Sequence, residues 1–243
     1  MIGFFMILVD STIVSVAIPA ITDAFGAGYN QVIWVNSAYL LAYAVPLLIT
    51  GRLGDRFGPR RLYIGGLALF TISSLACALA GSIEALIVAR AFQGLGGAIA
   101  TPQTMSVMIR TFSPRERGGA MGVWGATAGV ATITGPLVGG LLVDAAGWPW
   151  IFFVNVPVGV VGLALAWRFV PVLENTARSL DWTGVIISAV GMFCLIFGIQ
   201  EGSNFNWDGR SIGLILGGLV FIGAFIAWQA RTSRDALVPL SLF

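Results

Sequence analysis

Asp10 stands in the middle of an apolar run, Met1 to Ile21, where a carboxyl group has few uses beyond holding a proton, a cation or a hydrogen-bond donor. On insertion scales a carboxylate at mid-span costs about 2.5–3.5 kcal/mol, so it must face a cavity, find a partner or stay protonated. Two roles follow: a proton carrier, or a helix-packing acid with one fixed hydrogen bond. Ser11 and Ser15 lie on an adjoining face of the same helix. Arg90 is a cation inside a later apolar run, toward the outer side of the fourth span. Arg90, Gln93, Gly94, Gly97, Thr101 and Thr104 recur at three- and four-residue spacing and so share one helical stripe. A lone guanidinium on that stripe suits an aqueous cavity or a carboxylate partner. The alternative is snorkelling to the outer interface, with Gly94 and Gly97 serving close helix packing. Asn36, Tyr39 and Tyr43 share a face of the second run, either as the wall of a path for an aromatic or cationic molecule or as an ordinary interhelical contact.

The rest of the inventory closes off other chemistry. The chain has no histidine, the commonest metal ligand and general base. Cys77 and Cys194 fall inside apolar runs, which suits neither a disulfide framework nor a metal site. No serine is paired with a base as a nucleophile, so the sequence reads as a non-enzyme without metal or cofactor.

Hydropathy defines the elements that must hold Asp10 and Arg90. The chain is 57% hydrophobic and 10% charged, with mean hydropathy +0.91, against roughly 25% charged residues in a soluble domain. Apolar runs of about 20 residues match the bilayer core when helical. We place spans near 2–21, 32–51, 62–81, 84–109, 118–142, 151–170, 183–200 and 211–230. The first lacks a basic leader and a small-residue cleavage site, so it reads as a span and not as a signal peptide. Arg52, Arg56, Arg60, Arg61, Arg110, Arg115, Arg117, Arg168, Arg178, Arg231 and Arg234 fall on one set of alternate loops. The opposite set holds Arg210 with Asp23, Glu84, Asp144, Glu201 and Asp208. The positive-inside rule then puts both termini of the chain on the cytoplasmic face of a cell membrane, and it accounts for the net charge of +2 without nucleic acid.

Local patterns organise the spans. Ser113-Pro114-Arg115-Glu116 has the form of a helix start, with Ser113 as N-cap and Glu116 third. Gly51-x-x-x-Asp55-x-x-Gly58 recurs as Gly140-x-x-x-Asp144-x-x-Gly147, each at the end of the second span of a triplet. Two three-helix repeats in opposite orientation produce that echo, an architecture of secondary transporters. The fifth span carries Gly118, Gly122, Gly125, Gly129, Gly135, Gly139 and Gly140, which permit close backbone approach, and Pro136, which favours a kink. The polar connection over 171–182 divides a six-span bundle, 1–170, from two further spans in 183–243.

Five ordered motifs resemble the major facilitator superfamily, and within it the drug:proton antiporters of the fourteen-span EmrB/QacA type. Gly51-Arg-Leu-Gly-Asp55-Arg56-Phe-Gly58-Pro-Arg60-Arg61 is similar to the superfamily's cytoplasmic loop signature, and Leu86-x-x-x-Arg90-x-x-Gln93-Gly94-x-Gly96-Gly97-Ala98 to its fourth-span motif. Gly135-Pro136-Leu-Val-Gly139-Gly140 resembles the core of the fifth-span antiporter motif. Val9-Asp10-Ser-Thr12-Ile-Val-Ser-Val-Ala17-Ile-Pro19 and Trp150-Ile-Phe-Phe-Val-Asn155-Val-Pro157-Val-Gly159 resemble the first and sixth spans of the fourteen-span exporters. Ser15, Pro59 and Ala131 depart from the usual Asn, basic residue and Gly.

The resemblance implies an all-α membrane protein: an N-terminal six-helix bundle of two inverted three-helix repeats, followed by two additional transmembrane helices. It implies alternating access driven by the proton gradient, exporting hydrophobic, often cationic, small molecules. Asp10 is then the proton site, with Arg90 modulating it, and Asn36, Tyr39, Tyr43, Gln93 and Thr101 line the substrate pathway. Gly51, Asp55, Arg56, Gly58 and Arg60 form a cytoplasmic clasp; Gly135, Pro136, Gly139 and Gly140 seal one bundle against another. The family has a second six-span bundle beyond the two extra helices. The chain is therefore expected to be an N-terminal part, with a C-terminal bundle, drug-like substrate, protons, lipid bilayer and a periplasmic adaptor as partners. A sugar or metabolite facilitator is the alternative within the fold, and the fifth-span glycine-proline motif argues against it. A non-transporting membrane scaffold is the alternative outside it.

Overall fold

The computed structural model describes residues 1–173 and 181–231. The chain runs through α1 (Ile2–Phe25), α2 (Tyr29–Ala44), α3 (Leu47–Phe57), α4 (Pro59–Ala78), α5 (Ile83–Thr111), α6 (Arg117–Ala146), α7 (Trp150–Phe153), α8 (Asn155–Phe169), α9 (Trp182–Gln200) and α10 (Gly209–Arg231). With α7 and α8 taken together, seven spans are long and apolar enough to cross a bilayer, and the bent pair α2–α3 makes an eighth. This is an all-α, multi-pass membrane protein, because in lipid only helices or closed barrels can satisfy every backbone group. Arg178 and Arg234, with the rest of 174–180 and 232–243, lie outside the described residues.

Prolines set where spans bend or begin. The second span breaks at Pro46, and its two halves meet at 45°. Pro46 offers no N–H to the Ala42 carbonyl and its ring crowds that turn. The bend lays the Thr50 and Gly54 face of α3 on α5. Pro136, in contrast, lies inside a helix of 30 residues that continues past it without a break. Pro59 starts α4 three residues earlier than hydropathy suggests, since a proline costs a helix nothing in its first turn. At 113–116 the Glu116 carboxylate accepts from both the amide (3.1 Å) and the hydroxyl (2.7 Å) of Ser113. Ser113 therefore spends its hydroxyl on Glu116 and not on a helix amide, and α6 begins only at Arg117.

The repeat echo has a backbone counterpart. Gly58 and Gly147 sit at φ +93° and +90°, where a side chain is strained, and each amide closes its helix at 3.0 Å, onto Gly54 and Val143. The helix pairing matches as well: α1 packs on α6, while α2 and α3 pack on α5. Close crossings fall at glycines. A Cβ at Gly66 would lie 2.7 Å from the Ala100 nitrogen, and one at Gly96 2.5 Å from the Phe70 nitrogen, so α4 and α5 touch backbone to backbone.

The last two spans form a hairpin of their own. Gly218 meets the Gly191 carbonyl and the Leu195 amide. Asp181 caps α9 through the Gly184 amide (2.9 Å) and accepts from Trp228 Nε1 (3.0 Å) and Gln229 Nε2 (2.8 Å) of α10. Trp34 and Phe197, 5.8 Å apart, join the hairpin to the bundle, as does Ile49, packed against the cluster of Val185 and Phe225.

Candidate functional site

Asp10 and Arg90 lie in one wholly buried polar network at the centre of the bundle. Arg90 Nη1 donates to Asp10 Oδ2 at 2.5 Å and to Gln93 Oε1 at 2.7 Å, and its Nε donates to the Val35 carbonyl at 3.2 Å. The other oxygen, Asp10 Oδ1, accepts from Gln93 Nε2 at 2.8 Å and Asn155 Nδ2 at 2.7 Å. Ser74 Oγ accepts from the same two amides and donates to the Phe152 carbonyl at 3.1 Å. Cys77 Sγ meets Gln93 Oε1 at 3.5 Å. The guanidinium lies 4.0 Å from the centroid of the Tyr39 ring, a cation–π contact that adds to the ion pair. Among the described residues, Arg90 Nη2 is the one nitrogen of the guanidinium left without a hydrogen-bond partner.

The elements explain why these groups meet. Asp10 comes from α1, Val35 and Tyr39 from α2, Ser74 and Cys77 from α4, Arg90 and Gln93 from α5, Phe152 from α7 and Asn155 from α8. Small residues at the crossings let five of the first six spans reach one point. Gly94 sits beneath the Tyr39 carbonyl, and Gly97 lies against the Tyr43 ring and Ile7. The sixth member of the bundle, α6, closes on the next turn of α1, where Gly135 meets Thr12 and Gly139 meets Ile13. Such a network is costly in lipid unless every member is satisfied, which ties the orientation of five spans to one carboxylate.

The pathway residues fall into two groups. Tyr39 and Gln93 are buried; Tyr39 donates to the Ile7 carbonyl at 3.2 Å, and Gln93 belongs to the Asp10 network. Asn36, Tyr43 and Thr101 are half-buried, with Tyr43 donating to Thr101 Oγ1 at 3.2 Å and the buried Asn36 Oδ1 unpartnered among the described residues.

The clasp residues gather at the far end of α5. Asp55 pairs with Arg110 at 2.9 Å, and Arg60 donates to the Trp167 carbonyl. Arg56 is exposed beside the Phe57 ring, and Gly51 faces Pro102. Above them, Thr50 Oγ1 donates to the Ala98 carbonyl at 2.6 Å. Ala98 lacks its usual helical partner because Pro102 has no N–H. Gln103 Nε2 binds the Thr50 carbonyl at 2.8 Å, locking α3 onto α5. Of the last motif, Gly135 and Gly139 are buried against α1, Gly140 is half-buried and Pro136 is exposed. A Cβ at Gly118, Gly122, Gly125 or Gly129 would meet nothing, so the fifth-span glycines divide between a packed seam and an open stripe.

Reading the sequence singles out Asp10 and Arg90 but not their partners Ser74 and Asn155. Asn155 does carry a signal: it is a lone amide in an apolar run, inside a motif that stood out for other reasons. Ser74 carries none, because a serine is unremarkable in a helix that packs closely.

Residues 1–181 match the family model described as Major Facilitator Superfamily. An uncharacterized MFS-type transporter of Mycobacterium tuberculosis is 52% identical over all of this chain and 42% of its own length. The tetracenomycin C resistance and export protein of Streptomyces glaucescens is 37% identical over 100% of this chain and 45% of its own length. The multidrug export protein EmrB of Haemophilus influenzae is 35% identical over 98% of this chain and 48% of its own length. The chain spans less than half the length of these relatives.

Proposed function

The chain belongs to the Major Facilitator Superfamily, and from that premise we propose that it forms the first bundle of a proton-coupled exporter of hydrophobic or cationic small molecules. The buried Asp10–Arg90 pair carries this reading: it is the site where a proton could replace an ion-pair partner at mid-membrane. A guanidinium in contact favours the ionised carboxyl, and withdrawal of the guanidinium favours the protonated one. Any motion that shifts α5 against α1 therefore changes proton affinity and bundle geometry together. The relatives' names, which include resistance, export and multidrug export, support a drug-like substrate.

The remaining residues take roles within that cycle. Asn36, Tyr43 and Thr101 present half-buried polar groups for substrate, with Tyr39 and Gln93 behind them linking substrate position to Asp10. The open stripe of α6, from Gly118 to Gly129, is the surface on which a second bundle closes, and rocking about it exposes the site to alternate sides. Asp55, Arg56 and Arg60 clasp the helices at the end of α5, the cytoplasmic side by arginine asymmetry, with both termini of the chain on that side of the cell membrane.

The test is substrate-driven proton release by the intact, purified transporter, followed with a pH dye in weak buffer. Asp10→Asn should abolish the release, because an amide has no proton to exchange. Asp10→Asn combined with Arg90→Gln should abolish it too, while relieving the unpaired guanidinium. Proton release at the parent's stoichiometry from the folded double variant would remove Asp10 from the coupling role.

A further inference from the structure

The side of the bundle formed by α4 and α8 carries a charged groove in which Arg60 of the proposed clasp is joined by Arg61, a residue that the transport cycle leaves unused. A groove of about 470 Å³ opens between the start of α4 and the end of α8, with Phe57, Arg60, Arg61, Ile64, Trp167 and Val172 among its walls. Arg60 is anchored there: it donates to the Trp167 carbonyl, and its guanidinium lies 5.7 Å from the centroid of the Trp167 ring. That carbonyl needs a side-chain donor because the residue four positions on is Pro171, which has no N–H. Arg61 is exposed on the adjoining wall and forms no ion pair among the described residues. Arg168, next to Trp167 in the chain, is exposed beside the Phe169 ring and is likewise without an ion pair there. The acid of the same loop, Asp55, is engaged with Arg110. Among the described residues, the groove thus carries positive charge with no carboxylate paired to Arg61 or Arg168.

Its surroundings are apolar and face outward. Trp167 and Phe169 are each 71% exposed, and Val160, Val161 and Leu165 continue an exposed apolar face along α8. Ile72 and Leu75 do the same along α4. This is the lipid-facing side, and the groove lies where the apolar spans end, at headgroup depth, the level at which tryptophan and arginine are enriched.

We infer that this groove binds an anionic phospholipid of the adjacent leaflet, its headgroup phosphate on Arg60 and Arg61 and its glycerol and upper acyl chain along Ile64, Phe57 and Trp167. Charge complementarity selects the anionic headgroup, since a zwitterionic one would bring a cation toward two guanidiniums. The apolar wall selects a lipid over a soluble phosphate, which would gain the charge contact alone. A lipid held there bridges the α3–α4 turn to the end of α8 and steadies the anchored Arg60.

Native mass spectrometry of the intact protein in detergent, titrated with phosphatidylglycerol or phosphatidylcholine of the same acyl chains, tests this without reference to transport. The parent should retain phosphatidylglycerol in preference to phosphatidylcholine. Arg61→Gln should weaken phosphatidylglycerol binding roughly fivefold and Arg60→Gln/Arg61→Gln roughly 25-fold, at about 1 kcal/mol per surface arginine. Arg61→Lys should retain most of the affinity, and Arg210→Gln, at the start of α10, should have no effect. Glycerol phosphate added at the same concentration should not displace the lipid. Equal retention of both lipids, undiminished binding by Arg61→Gln in a protein of unchanged melting temperature, or displacement by glycerol phosphate would each overturn the assignment.

Discussion

Helix α5 holds an arginine–carboxylate pair near each end, and the two pairs obey different physics. Arg90 and Asp10 meet at 2.5 Å with both side chains 0% exposed; Arg110 and Asp55 meet at 2.9 Å with side chains 28% and 34% exposed. Twenty residues separate the two arginines, about 30 Å of helix. In the buried pair each charge has been stripped of water, so its lone pairs and N–H groups depend on protein partners; Gln93, Asn155 and the Val35 carbonyl supply them, and Arg90 Nη2 alone of the guanidinium nitrogens has none among the described residues. The exposed pair has water as an alternative partner for both ions. The same two residue types therefore make a desolvated ion pair at one end of the helix and a solvent-accessible one at the other.

Breaking the buried pair on one side should produce the largest effect. Arg90→Gln leaves Asp10 buried without its counter-charge and should cost about 3–5 kcal/mol of stability. Arg90→Gln and Asp10→Asn together should cost less than the sum of the two single losses, by a coupling energy of about 1–3 kcal/mol in a thermal-unfolding double-mutant cycle in detergent. Strict additivity would mean that the two side chains do not act as a unit.

Removing a neutral member of the network comes next. Asn155→Leu deletes a hydrogen bond to a charged oxygen and one to Ser74, and should cost about 1.5–3 kcal/mol. The same measurement checks it, and a change below half a kilocalorie would mean that α8 is held by its apolar face alone.

At the exposed end, Asp55→Asn should change stability by no more than about 1 kcal/mol. Its effect should fall on turnover, lowering transport rate more than equilibrium affinity for substrate, because a latch at the bundle's edge acts on conformational exchange. Substrate binding measured beside flux separates the two. Weakened binding at unaltered turnover would make Asp55 a substrate ligand.

The smallest effect concerns Glu116, at the exposed start of α6. Hydrogen bonds from the Ser113 hydroxyl and amide hold its carboxyl below the ordinary glutamate value, about 4.3. A lowered value means that this local contact is fully present above the ordinary value and is lost as pH falls through the lowered one. A titration of the Glu116 carboxyl by NMR should therefore move upward in Ser113→Ala. An unchanged midpoint would leave the turn without its electrostatic component.

How far each feature could be read in advance depends on the distance over which it is decided. Eight apolar runs are a property of consecutive residues, and the described helices follow them closely. The Gly-Asp-Gly echo was legible for the same reason, because a glycine at φ near +90° serves its own loop. Asp10 and Arg90 stood out because ionisable groups are rare in such runs. Nothing local distinguishes Pro46, at which a span breaks, from Pro136, through which a helix continues, or the glycines of α6 that pack on α1 from those that meet nothing.

The amino-acid sequence by itself determined that this chain lies in a membrane, where its apolar runs fall, and that an acid and a base inside those runs would have to be accommodated. Each of these follows from the transfer energy of single residues and short runs. Only the tertiary structure decided that the acid and the base answer each other. Asp10, Ser74, Arg90 and Asn155 are up to 145 positions apart, and close crossings at glycines bring them to one point. Their pairing is favourable because that point excludes water, a condition that no single helix can create.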